Sequence, residues 1–106
     1  MTQPGSMPFE SHLDGLSEPA RAIMLDLRGF VRSLGSNVIE EVRPHRVVYA
    51  KTMNFRTFLD IQPAGDSLVL SIRSGRGAAP EAMTLRTSQE ADAAKKLIAE
   101  AYERIQ

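Results

Sequence analysis

The chain has 106 residues, a formal net charge of zero and no cysteine, so it fits a single domain that must rest on an apolar core without covalent staples. The missing cysteines exclude disulfides, thiolate nucleophiles and cysteine-based zinc or iron–sulfur sites, and leave His12 and His45 as its imidazoles. The start MTQPGSMPFESHLDG lacks the basic end and apolar run of a signal peptide, and no apolar stretch reaches the ~18–20 residues of a membrane span. The expectation is a cytoplasmic protein with no cofactor, no metal and no membrane partner.

The neutral total conceals a segregation. Residues 1–42 carry three basic and six acidic groups, residues 43–86 seven and three, and residues 87–106 three and four. The excess of positive charge therefore falls on the middle, strand-rich segment, and predicts a positive sheet face beside mildly acidic helices.

In chain order, residues 1–15 hold two prolines and two glycines with no apolar period and read as a flexible N-terminal arm, with Phe9 and Leu13 available to pin it. The domain proper is expected over 16–106. A helix starts near Ser17, whose hydroxyl suits the cap, followed by Glu18 and Pro19 at positions that favour an acid and tolerate proline. Ile23, Leu27, Phe30, Val31 and Leu34 recur at helical spacing, and Gly35 is expected to end the helix in a left-handed conformation. Short alternating runs follow: Val38–Val42, closed off by Pro44, then Arg46–Lys51, Thr57–Gln62, Leu68–Arg73 and Met83–Arg86, separated by turns too short for parallel crossovers. Thr87 and Glu90 have capping-box spacing, and Ala94, Leu97, Ile98, Ala101, Tyr102 and Ile105 give the last helix its apolar stripe. The expected fold is α+β: an antiparallel four- or five-stranded sheet with an N-terminal and a C-terminal helix packed on one face, order α-β-β-β-β-β-α.

Simple alternation sends Val47, Tyr49, Leu59, Ile61, Leu68, Leu70, Ile72, Met83 and Leu85 towards the helices. It leaves Arg46, Val48, Phe58, Asp60, Val69, Ser71, Arg73, Thr84 and Arg86 on the opposite face. Such a mixed cationic and apolar face fits a homodimer contact, cover by the N-terminal arm, or a ligand surface.

A capped helix, VVYAK, FLDI, an alternating LVLSI strand and a final helix ending AYERI together resemble a small bacterial domain family of unknown function. Its members are often labelled "predicted transport protein" and occur alone or at the C-terminal end of longer, nuclease-like proteins. The resemblance covers about residues 17–106 and implies no catalytic set. The nuclease-like context implies a role near nucleic acid.

Several residues merit weighing as chemistry. His45, between Arg43 and Arg46, would be kept neutral by its cationic neighbours, as a general base requires, but no nucleophile or pocket accompanies it; the alternative is a surface or strand-end histidine. Asp60 and Lys51 with Glu40 or Glu41 make the acid-and-lysine set of a small metal-assisted hydrolase, although alternation lets only one of the two glutamates join Asp60. The competing role for Asp60 is a cross-strand pair with Arg46 or Arg56. Ser74, Gly75, Arg76 and Gly77 suggest an anion nest clamped by Arg73 and Arg76, or else an ordinary loop. Tyr49, Phe55 and Phe58 beside Arg46, Lys51 and Arg56 suggest base stacking, against which alternation turns Tyr49 inward. Ser71 or Ser74 with His45 and Asp60 lacks a nucleophile-elbow context. The reading is a non-enzymatic binding module whose open face, with Arg46, Arg56, Phe58, Arg73, Arg76 and Arg86, meets an anionic partner such as nucleic acid, or a protein partner or second copy. The rival is the metal-assisted hydrolase.

Overall fold

The computed structural model describes residues 8–51, 56–73 and 79–105. A short 3-10 helix (Phe9–Leu13) precedes α1 (Glu18–Arg32), β1 (Val38–Val42), β2 (Val47–Lys51), β3 (Arg56–Pro63), β4 (Leu68–Ile72), β5 (Glu81–Leu85) and α2 (Ser88–Arg104). Both helices start where their capping side chains fall. Ser17 Oγ accepts from the Ala20 amide, and at α2 the Thr87 and Glu90 side chains each accept from the other's amide, satisfying amides that have no partner inside the helix. The five strands form an antiparallel meander in chain order, so the α+β architecture is the one the periodicities predict.

The core lies between one sheet face and the helices. Ala20, Ile23, Met24, Leu27 and Val31 of α1 and Ala91, Ala94, Ile98 and Ala101 of α2 are buried against Val47, Tyr49, Leu59, Ile61, Leu68, Leu70 and Leu85. Three alanines on the buried stripe of α2 let that helix lie close to the sheet. Lys95 ties the helices together through an ion pair with Asp26 at 2.7 Å.

Three expectations need correction. From Phe9 onward the supposed arm is part of the body: Phe9, His12 and Leu16 are buried, because this stretch supplies an aromatic ring and a histidine that find partners on α1 and at the end of β1. Residues 1–7 lie outside the described residues. Gly35 does not take a left-handed conformation; among the described glycines only Gly65, with φ +76° in the β3–β4 turn, does so. α1 ends instead on Ser33, whose amide donates to the Gly29 and Phe30 carbonyls. Gly35 is needed because a Cβ there would collide with the Tyr102 hydroxyl, which donates to Asn37 Oδ1.

The third correction decides which residues face solvent. Tyr49 pairs with Leu59 and Ala50 with Thr57, so Phe58 is an extra residue, a β-bulge that resets the alternation. Phe58 and Leu59 both enter the core, and Phe58 meets Tyr102 edge-on with ring centroids 5.4 Å apart. Phe58 therefore does not belong to the open face. The same shift pairs Arg56 with Lys51, whose amine donates to the Ile105 carbonyl and lies 4.1 Å from the Tyr102 ring. Paired residues share a face, so Arg56 lies on the helix side, away from Arg46.

Candidate functional site

Two carboxylates on the strands have opposite surroundings. Glu40, on the helix side of β1, accepts two hydrogen bonds of 2.9 Å from Arg28 and one of 2.7 Å from the Tyr49 hydroxyl. The Arg28 guanidinium in turn lies 4.0 Å over the Phe9 ring. Burial pushes the Glu40 carboxyl up, but the hydrogen bonds from Arg28 and Tyr49 and the Arg28 charge more than offset it and hold it below the usual carboxylate range. Burial, together with the bond it donates to Glu40, drives the Tyr49 hydroxyl well above its ordinary value. This saturated cluster anchors the N-terminal segment and α1 to the sheet edge.

Asp60 stands on the other face, in the row Glu41–Val48–Asp60–Ser71–Ala82 that runs across the strands. It sits in a depression of about 260 Å³ lined by Arg43, Arg46, Val48, Thr57, Asp60 and Arg73. Three features of the chain build this place. The tight β1–β2 hairpin, closed by the Arg43 amide on the Arg46 carbonyl at 2.8 Å, puts both arginines on the open face beside Val42 and Val47, which face inward. The bulge turns Thr57 outward, and the Phe58 carbonyl accepts from the Arg73 amide at 3.0 Å, fixing the backbone of the third arginine. Val48, only 3 % exposed although it faces away from the helices, is an apolar floor beneath the arginine stems.

The Asp60 side chain is 16 % exposed, and its partner Arg46 is 3.8 Å away, beyond hydrogen-bond reach. It accepts no hydrogen bond from any described residue. Burial pushes its carboxyl above the usual range, with Arg46, Arg73 and Arg43 offsetting only part of this. Arg43 is engaged by Glu41, whereas the guanidinium groups of Arg46 and Arg73 make no hydrogen bond among the described residues. The depression thus combines donors without acceptors and an acceptor without donors.

Arg46 and Arg73, both expected on the open face, are brought together here, and the Arg46–Asp60 pair is present. Arg56 and Phe58 belong to the helix side. Arg86 follows β5, three strand spacings or roughly 14 Å from β2, where its amide donates to Glu90 Oε1 at 2.6 Å; it is separate from the depression because the meander places β5 at the far edge. Arg76, Phe55 and the Ser74–Gly77 stretch lie outside the described residues. His45 is exposed at the hairpin tip. The acid-and-lysine set does not converge: Glu40 and Lys51 are on the helix side, Asp60 on the other, and Glu41 shares the Asp60 face with the whole of β2 between them. Among the described residues no three histidine or acidic side chains gather as metal ligands, and no described helix is long and apolar enough to cross a membrane.

Two contributors escaped sequence reasoning. His12, 8 % exposed, donates from Nε2 to the Arg43 carbonyl at 2.7 Å and so holds the arginine hairpin from below; nothing in a polar, proline-containing start announces that contact. Thr57 reaches the depression through the bulge, and the consecutive large apolar residues Phe58–Leu59 within an alternating strand were its available signal. Compared with protein-family models, curated proteins and solved structures, the chain matches none.

Proposed function

We propose that the protein is a non-enzymatic binding module whose open sheet face takes a phosphate-bearing partner, nucleic acid, at the depression between Arg43, Arg46 and Arg73. The observation that carries this reading is the convergence of three guanidinium groups, two of them without hydrogen-bond acceptors among the described residues, on a face that neither helix covers. Planar guanidinium donors suit phosphate oxygens, and the stiffness of paired strands holds them without a ligand.

Fluorescence anisotropy of labelled single- and double-stranded DNA and RNA, from about 20 to 200 mM salt, tests it. Phosphate contacts release counterions, so affinity should fall steeply with salt. Arg46→Ala and Arg73→Ala should each weaken binding and flatten the slope, and chelator should have no effect. No binding at the lowest salt would overturn the reading and shift the weight to a protein partner or a second copy at this face.

A further inference from the structure

Resting on that reading, we infer that the depression recognises guanine in single-stranded nucleic acid, with the Asp60 carboxylate accepting from the base edge while Arg46 and Arg73 hold flanking phosphates. A surface serving phosphate alone would have no use for an acid at its centre, since a carboxylate repels the ligand. Here Asp60 is mostly buried, within the field of three arginines, and without a hydrogen bond from any described residue. A carboxylate accepts only, so its complement in the ligand is a donor.

The surroundings narrow that donor. An ammonium group would meet Arg43, Arg46 and Arg73 in the same depression and be repelled, so the donor is a neutral N–H. Guanine offers two adjacent ones, N1–H and the N2 amine, matching the two oxygens of one carboxylate. The amines of adenine and cytosine each sit beside a ring nitrogen acceptor, which would face the negative charge. Guanine's edge is free only when the base is unpaired.

Eight-nucleotide oligouridylates carrying one central guanine, inosine, adenine or uracil, labelled and titrated at about 20 mM salt, read this directly. A bidentate base contact discriminates by ~1–3 kcal/mol, which is roughly 5- to 150-fold in Kd. Guanine should be preferred over adenine and uracil by a factor in that range, with inosine, which lacks the N2 amine, between them. Asp60→Asn should abolish the preference for guanine; circular dichroism confirms that the variant is folded. Equal binding of all four oligomers, salt-sensitive and lost in Arg46→Ala, overturns the guanine inference and leaves the phosphate surface standing. A guanine preference that survives Asp60→Asn also overturns it. Absence of binding by every oligomer overturns both.

Discussion

Replacing Phe58 by alanine tests the bulge on which the whole assignment of faces depends. The Phe58 side chain is fully buried, and its ring meets Tyr102 at 5.4 Å with planes 74° apart. Truncating a core phenylalanine costs about 3–5 kcal/mol, a large part of the ~5–15 kcal/mol that holds a domain together. At about 4–8 °C per kcal/mol for a domain near this size, Tm should fall by roughly 12–40 °C. Phe58→Leu keeps most of the volume and loses the aromatic pair, worth about 0.5–1.5 kcal/mol, so it should fall by a few degrees. Arg46→Ala, on the open face, should stay within about 0.5 kcal/mol of wild type. Thermal melts by circular dichroism at neutral pH separate the three. If Phe58→Ala melts within about 3 °C of wild type, the ring is exposed and the alternation unbroken, and the depression around Asp60 is wrongly drawn.

Asp60→Asn should raise Tm at pH 7. The folded carboxyl titrates above its ordinary range, so its charge costs stability once ionised, and the gain should shrink to nothing below the unfolded value of about 3.9; a variant no more stable at pH 7 than at pH 3, relative to wild type, refutes this. Glu40 has the opposite sign: its lowered folded value gives stability that is full at neutral pH and lost as pH falls from the ordinary carboxylate range through that value. Tyr49→Phe removes a hydrogen bond to this charge, should cost about 1.5–3 kcal/mol, and should flatten the acid limb of the stability profile in urea melts at successive pH values. Gly35→Ala should cost about 1–3 kcal/mol by overpacking against the Tyr102 hydroxyl, and adding Tyr102→Phe should recover part of that loss; no recovery in the double variant would place the strain elsewhere.

The architecture was legible because its signals are local and mutually consistent. Ser17, Thr87 and Glu90 mark both helix starts, and the short turns force antiparallel neighbours. The apolar stripes of the two helices have one sheet face to share. The faces themselves were less legible, since a single extra residue inverts every side chain beyond it. Arg56 and Phe58 depart from simple alternation for that one reason, while Val47, Tyr49, Leu59 and Ile61, on the inner side of the bulge, follow it. His12 and the Arg28–Glu40–Tyr49 cluster depend on contacts between segments 31, 12 and 9 positions apart, which no periodicity reports. The clustering of arginines around Asp60 is likewise a product of register: Arg43, Arg46 and Arg73 come from a hairpin and from a strand end two neighbours away.

The two acids show why burial and charge have to be read together with hydrogen bonding. Glu40 and Asp60 are both mostly buried beside arginine, and distance from a cation alone would class them together. Glu40 receives three short hydrogen bonds and is held ionised by them; its surroundings are complete, and removing any partner leaves a charge exposed to the penalty of burial. Asp60 has a long ion pair and no hydrogen bond among the described residues, in a place where Arg46 keeps nearly half its side-chain surface exposed, at 46 %. Asparagine would fill the same volume without the cost of desolvating a charge, and among the described residues the long ion pair with Arg46 is the one contact that favours an acid there. A charge that is costly to bury, beside donors without acceptors among the described residues, is the feature on which the proposed ligand contact rests.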